Sequence, residues 1–275
     1  MRWNALCAAG AVAVTSQLVA AQLNVNLVQN PGAEIGIPSP GGILPVPIPG
    51  WSILNNARVV AYGDPGQSGG FPTSASPGPN DRGNNFFSGG PVGNSTLIQV
   101  IDVSGEASEI DLNHRVFDFS AWLGGFGSED DAALVIAVCA DGQAQSLRTD
   151  TLTGPSSVGR NFQTGLFFRS TSAAVPPGTR QVLIQLIMNR VVGPYNHASA
   201  DNISFLLRPA PCSDIDFNND GLFPDNADLE DLLRVFGGGQ CSTGNCDPID
   251  FNGDGLFPDN QDLEDFFEVF GGGVC

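Results

Sequence analysis

From Val182 to Asn189 apolar and polar residues alternate, with Val182, Ile184, Leu186 and Met188 set against Gln185 and Asn189. A period of two marks a strand buried on one face. Stretches of the same character lie at 97–103, 112–123, 132–140, 163–169, 180–190 and 200–207, separated by turns rich in Gly, Pro, Ser and Asn. Helical periodicity is missing from this part of the chain, and the pattern predicts a two-sheet β-sandwich. Beyond residue 211 the period changes. Leu229, Leu232, Leu233 and Phe236 recur at i, i+3, i+4 and i+7, and Leu263, Phe266, Phe267 and Phe270 repeat them, which predicts two amphipathic helices. Asp225–Asn226 and Asp259–Asn260 offer N-caps, and runs of glycine from 237 and 271 end both helices. Neither helix can bury its stripe alone, so the two stripes are expected to pack on each other. The predicted fold class is mainly β, a β-sandwich followed by a small α-helical module.

The module is a duplication. The unit that begins at Cys212 begins again at Cys246, 34 residues later and without a gap. Asp216, Asn218, Asp220 and Gly221 become Asp250, Asn252, Asp254 and Gly255. Asp-x-Asn-x-Asp-Gly opens an EF-hand-type calcium loop, in which alternate positions aim oxygens at one hard cation. Gly221 and Gly255 stand where the chain must bend sharply, and Leu222 and Leu256 follow at the position that offers a backbone carbonyl. The twelfth position, normally a carboxylate, holds Ala227 and Gln261; Asp228 and Asp262 come one residue later. Either the loop bulges to bring Asp228 and Asp262 in, or Asp225 and Asp259 supply the missing oxygens. The bulge is favoured, because Asp228 and Asp262 begin a helix whose first turn can swing onto the ion. Residues 212–275 carry 15 acids against one Arg, whereas residues 1–211 carry 14 acids and 10 Arg. An empty module should repel itself, and bound cation then contributes directly to folding.

Two calcium loops, each followed by one helix in about 64 residues, resemble a type I dockerin in a Cys-flanked variant. The resemblance implies calcium as cofactor and a cohesin-like protein module or cell-surface scaffold as partner. The altered twelfth position departs from that family and bears on loop geometry and on recognition of the usual cohesin. Upstream, Asn26–Glu34 (Asn-Leu-Val-Gln-Asn-Pro-Gly-Ala-Glu), Pro49-Gly50-Trp51 and Ala200-Asp201-Asn202-Ile203-Ser204-Phe205 resemble the ends of a galactose-binding-like jelly roll, the fold of many carbohydrate-binding modules. That resemblance implies neighbouring first and last strands, with Glu34 and Asp201 as side-chain ligands of a structural calcium. It also implies polysaccharide as a ligand.

The N-terminus reads as a secretory signal over residues 1–21, with Arg2 before a short apolar run and Val19-Ala20-Ala21 at the cleavage position. The run is interrupted by Thr15, Ser16 and Gln17, so a membrane span is not expected. The chain then divides into a sandwich at 22–208, a linker at 209–211 and the module at 212–275. Cys212, Cys241, Cys246 and Cys275 bracket the repeats, and export favours disulfides over zinc. Their equal spacing favours Cys212–Cys241 with Cys246–Cys275; the alternative joins Cys241 to Cys246 and Cys212 to Cys275. Cys139 reads as a buried strand residue.

Little points to catalysis. His114 and His197 lie in no metal or triad motif and read as surface or strand residues, and no nucleophile elbow or phosphate loop occurs. Asp64, Asp81, Glu129, Asp130 and Asp131 fall in loops, which leaves a polysaccharide hydrolase as the alternative to a secreted binding protein, and a structural envelope protein as a third. The chain has a net charge of −18 and no lysine, so nucleic acid is excluded as an expected partner. Sugar binding needs exposed aromatic faces. Trp51 and Trp122 are assigned to the core, leaving Tyr62, Phe86, Phe87 and Tyr195, in or beside long loops at 36–50 and 63–95, as candidate ligand contacts.

Overall fold

The computed structural model describes residues 22–66, 70–210, 215–222, 225–253, 255–256 and 258–272. The expected signal at 1–21, together with Cys212, Asp254 and Cys275, lies outside the described residues. Ten strands follow one another: β1 (Ser52–Asn55), β2 (Arg58–Ala61), β3 (Asn85–Gly90), β4 (Asn94–Asp102), β5 (Arg115–Gly125), β6 (Ala132–Ala140), β7 (Ser146–Thr153), β8 (Gly165–Ala174), β9 (Gln181–Asn189) and β10 (Asn196–Pro209). They form two five-stranded sheets, ordered β1-β4-β9-β6-β7 and β2-β3-β10-β5-β8, with every pairing antiparallel. A short helix, α1 (Ala107–Asp111), precedes β5, and α2 (Asn226–Phe236) and α3 (Asn260–Phe270) follow the sandwich. Among the described residues no helix is long and apolar enough to cross a membrane.

Alternation puts the core between the sheets. Val182, Ile184, Leu186 and Met188 of β9 face Ala121, Phe119 and Phe205 of the opposite sheet's β5 and β10, all fully buried in one cluster. The N-terminal segment runs beside β10: the Leu27 N–H donates to Phe205 O (2.9 Å) and Ile203 N–H to Pro31 O (3.1 Å). First and last segments are therefore neighbours. Trp51 is buried as expected, its indole N–H on Asn30 O at 3.2 Å.

The sheet containing β10 is also covered on its outer side, over β2 and β3. Val60, Phe71, Phe86 and Tyr195 form a second cluster there, with Ile43 and Tyr62 at its margin. The loops at 36–50 and 63–84 supply the cover. Gly42 has φ +69°, and a Cβ on it would stand 2.2 Å from the Tyr195 hydroxyl, so only glycine fits this approach. Strand β3 is thus buried on both faces, which corrects three assignments. Phe86 and Phe87 are strand residues at 0% exposure, Phe87 in the main core and Phe86 in the second cluster, and Tyr195 is 5% exposed. None presents a face to a ligand.

In the module, Ile215, Phe217 and Leu232 pack on Ile249, Phe251 and Phe266. The helical stripes meet as expected but are narrower: Leu233 and Phe267 are 47% exposed. Apolar residues flanking the first loop aspartate of each repeat fill their place. The favoured disulfide pairing is also corrected. Cys241 bonds Cys246, with Cα atoms 5.7 Å apart, because the short turn at 242–245 between the repeats brings those two together.

Replacing Phe87 with Ala should cost about 3–5 kcal/mol, read as a lowered midpoint in urea unfolding. Burial pushes the Cys139 thiol up to about 12, so alkylation of the native protein at mildly alkaline pH followed by peptide mapping should leave Cys139 unlabelled; labelling at the rate of a free thiol would contradict this packing.

Candidate functional site

The described residues of the two repeat loops share an aspartate-to-glycine backbone bond and a left-handed glycine. In the first, both oxygens of Asp216 accept backbone N–H groups, from Asp220 at 3.0 Å and Gly221 at 2.9 Å. Asn218 Oδ1 accepts from the Asp220 N–H (3.0 Å) and Asp220 Oδ1 from Leu222 N–H (2.8 Å). In the second, Asp250 Oδ2 accepts from Gly255 N–H at 3.0 Å. Gly221 and Gly255 have φ near +80° (+81° and +82°), the left-handed backbone that favours glycine.

Each helix starts with a capping box. Asp225 accepts from Ala227 N–H (2.7 Å) while Asp228 accepts from Asp225 N–H (2.9 Å); Asp259 and Asp262 repeat this at 2.8 and 3.0 Å. The other oxygen of Asp228 receives the Asn218 N–H at 3.3 Å, and that of Asp262 the Asn252 N–H at 3.5 Å. Asp228 and Asp262 therefore reach from the helix back into the loop, and both are fully buried. Burial pushes the Asp262 carboxyl above its usual range. Asp225 and Asp259 are engaged as caps. Buried carboxylates ringed by further loop oxygens are a donor set that fits a hard cation. In both repeats it is Asp228 and Asp262 that reach back from the helix toward the loop, with Leu222 and Leu256 exposed at the loop tip.

A second carboxylate group lies on the sandwich. Asp201 is fully buried, with Oδ2 accepting the Tyr62 hydroxyl at 2.6 Å and Oδ1 the Asn202 N–H at 2.8 Å. Burial, with Glu34 and Asp81 nearby adding repulsion, pushes its carboxyl up to about 8. Glu34 receives the N–H groups of Asn84 and Asn85 at 2.9 and 2.7 Å. Both acids border Gly32, whose ideal Cβ would lie 3.1 Å from Asp201 Oδ1 and 3.9 Å from Glu34 Cγ. The Tyr62 hydroxyl is thus committed to Asp201, and its ring lies 5.3 Å under the Arg82 guanidinium.

The aromatic faces are elsewhere. Trp122, assigned to the core from sequence, is half-buried on the outer face of β5 beside Phe168 of β8, which is 51% exposed; their rings stand 5.6 Å apart. Trp122 pairs with Phe168 across the sheet, and Ser120 with Ser170, so all four share the outward side. Ser204 continues the row on β10, and Asp118 grips Arg208 through two bonds of 2.7 and 3.1 Å. That pair holds the Asp118 carboxyl below its usual range. Asp201 pairs with Trp122 on the other side, so this shelf abuts the Asp201–Tyr62 contact. Phe168 escapes a sequence search because it follows Phe167 in what reads as a continuous apolar run.

Both histidines are buried, not exposed: His114 at 6% and His197 at 4%. His114 lies between Glu109 (3.3 Å) and Asp265 of α3 (3.2 Å) and so joins sandwich to module. Of the loop acids, Asp64 accepts the Gly41 and Gly66 N–H groups, Asp130 that of Ser157, Asp131 three backbone donors, and Asp81 the Asn202 amide.

No family model matches the chain, and no curated protein matches its sequence. Among solved structures, the enzymatically active domain of tailspike protein 4 of bacteriophage CBA120 is 15% identical over 66% of this chain, at a TM-score of 0.43. TmCBM61, solved with β-1,4-galactotriose, is 14% identical over 67% of this chain and 99% of its own, at 0.39. The arabinose-bound α-L-arabinofuranosidase MgGH51 is 15% identical over 77% of this chain, at 0.40. The match spans 21% of the tailspike chain and 30% of the arabinofuranosidase chain.

Tyr62→Phe removes a donor from a buried carboxylate and should cost about 1–3 kcal/mol, measured as a shift in the denaturant midpoint at neutral pH; an unchanged midpoint would mean that the hydroxyl does not support Asp201.

Proposed function

We propose that this is a secreted, non-catalytic binding protein that holds a polysaccharide on the outer face of its sandwich and docks through a calcium-binding, dockerin-like module. The observation that carries the sugar reading is the Trp122–Phe168 pair. Large aromatic faces on an open sheet are costly in water, and the apolar C–H side of a pyranose covers them well. Ser120, Ser170 and Ser204 lie alongside to take hydroxyl hydrogen bonds, the combination of apolar platform and few polar groups expected of such a site. The hydrogen bonding of Asp64, Asp81, Asp130 and Asp131 to neighbouring backbone and amide groups supports a structural role for those loop acids.

In the module, Asp216, Asn218, Asp220, Asp228 and the Leu222 carbonyl would hold one calcium, and Asp250, Asn252, Asp254, Asp262 and the Leu256 carbonyl the other. Asp225 and Asp259 cap the helices behind them. Calcium supplies a hard dication that offsets the crowding of carboxylates. The chain supplies the ordering: Gly221 and Gly255 turn the loops, and the capping boxes fix Asp228 and Asp262. The order so gained would present the module to a cohesin-like partner or a cell-surface scaffold. Glu34 and Asp201 would hold a further, structural calcium beside the shelf.

Affinity electrophoresis of the full mature chain through gels cast with xylan, β-glucan or galactan tests the sugar reading. Retardation by at least one of them is expected. Trp122→Ala and Phe168→Ala should abolish it with an unchanged far-UV circular dichroism spectrum; mobility unaffected by every polymer would end the proposal. For the module, thermal unfolding of the full chain followed at the helical band should gain about 2.7 kcal/mol per loop at a hundredfold excess of calcium over Kd. Magnesium should do much less. An identical transition in chelator and in calcium would remove the calcium reading.

A further inference from the structure

A third cluster lies at the end of the sandwich away from the module. Glu129, Asp131 and His197 each offer a ligand atom, and all three atoms lie within 4.8 Å of one another. The 126–131 loop and the start of β10 bring them together, and each is fixed before any ligand arrives. Arg160, 1% exposed, gives its N–H groups to the carbonyls of Phe126, Gly127 and Glu129 on one loop and of Pro155 and Gln163 on its own. Asp131 Oδ1 accepts from Val191 and Val192, at 2.6 and 3.2 Å, and Oδ2 from the His197 N–H at 2.8 Å. The imidazole is walled by the rings of Tyr195 (4.9 Å), Phe126 (5.1 Å) and Phe71 (6.0 Å), which leave it facing the acids. Its Nδ1 stands 2.7 Å from Glu129 Oε2.

Charge makes this arrangement unusual. Glu129 is half-buried and Asp131 buried; the Arg160 hydrogen bonds go to backbone carbonyls and none to either acid, so that guanidinium acts on them only through space. The imidazole is the ion-pair partner of Glu129, and Asp131 is in no ion pair among the described residues. A carboxylate offers about four lone-pair sites, so three N–H bonds leave Asp131 one, on Oδ2. Glu129 keeps Oε1 toward Gly193, where a Cβ would stand only 3.1 Å away. One nitrogen and two carboxylate oxygens, from rigid loops, match the borderline donor preference of zinc.

We propose that Glu129, Asp131 and His197 form a zinc site that ties the 126–131 loop to the start of β10, with water completing the coordination. It is separate from the oxygen-only calcium loops and independent of them. Zinc and not calcium is the ion selected, since the imidazole is a poor calcium ligand.

The chain has two histidines, which makes the test direct. Zinc chloride is titrated into the full mature chain in saturating calcium, following the imidazole nitrogen resonances and, in parallel, the heat of binding. The His197 ring resonances should move to completion with one equivalent while those of His114 stay in place. His197→Ala and the milder Glu129→Gln should each weaken zinc by more than about tenfold, and His114→Ala should not. The wild-type titration stands even if a variant fails to fold. If the His197 resonances stay fixed through the titration, or if His114→Ala removes the binding, the Glu129–His197 contact is an ion pair and the zinc site is wrong.

Discussion

Burying an aspartate is expensive, and the fold does it six times among the described residues. Asp131, Asp201, Asp228, Asp231, Asp262 and Asp265 are each at most 2% exposed, in a protein with 29 acids and 11 cationic side chains. Among the described residues only Asp231 of these forms an ion pair with an arginine, Arg234. The others are held by backbone N–H groups, a tyrosine hydroxyl, side-chain amides or an imidazole. Dipoles of that kind hold a carboxylate in place but do not cancel its charge. The candidate ion sites on sandwich and module include four of these residues, Asp131, Asp201, Asp228 and Asp262; burial pushes Asp201 and Asp262 toward the neutral acid, and a cation beside them would favour the carboxylate.

The duplication makes the point sharper through what differs between its halves. Loops and capping boxes repeat, but the buried aspartate one turn further along each helix has found different neighbours. Asp231 bonds Arg234 and Ser242 within its own repeat. Asp265 instead reaches His114 of the sandwich, while also accepting the Asn252 and Gln261 amides at 2.9 and 3.1 Å. The second repeat is therefore the one seated on the sandwich, beside a cleft of about 340 Å³ lined by Glu109, Arg115, Glu264 and Glu268 among others. The linker helps: Ala210 N–H bonds His114 O at 2.9 Å, so it continues the β10–β5 ladder. Asn252 belongs at once to a loop and to this seam, and Asn218 has no such second duty toward the sandwich.

What could be read from the sequence follows the range of each interaction. The helices, their Asp caps and their glycine stops were legible, since each depends on residues a few positions apart. So was β6, predicted at 132–140 and found there. β9 shows the same alternation, Val182 to Met188. β3 was not legible: its outer side is buried by loops from elsewhere in the chain, so Phe86 and Phe87 lose the alternation that marks a strand with one wet face. Trp122 failed for the opposite reason. Its neighbours Ala121 and Leu123 are core, and only sheet pairing reveals that the residue between them points outward. The Cys241–Cys246 bond was not preferred because equal spacing speaks to repeat symmetry, whereas pairing obeys proximity at the turn between repeats. The cluster of Glu129, Asp131 and His197 joins residues up to 68 apart and leaves no local pattern at all.

The division of one sheet face decides where a ligand can sit. Over β2 and β3 the long loops supply Ile43 and Phe71, seal Phe86 and Tyr195, and leave no free aromatic. Pro77 carries that cover as far as the start of β8, where its carbonyl takes the Leu166 N–H at 2.9 Å. Beyond it the face is bare, and there Trp122 and Phe168 stand. A loop-covered half beside an open half creates an edge, and Asp201, Tyr62 and Arg82 form it. Asp201 pairs directly with Trp122 across the sheet, and its buried carboxyl is held by the Tyr62 hydroxyl and the Asn202 N–H, so the acid and the platform share one ladder. Rigidity at that point would limit the ordering cost of a bound chain, so the buried acid of the sandwich and its exposed aromatic pair belong to one piece of architecture.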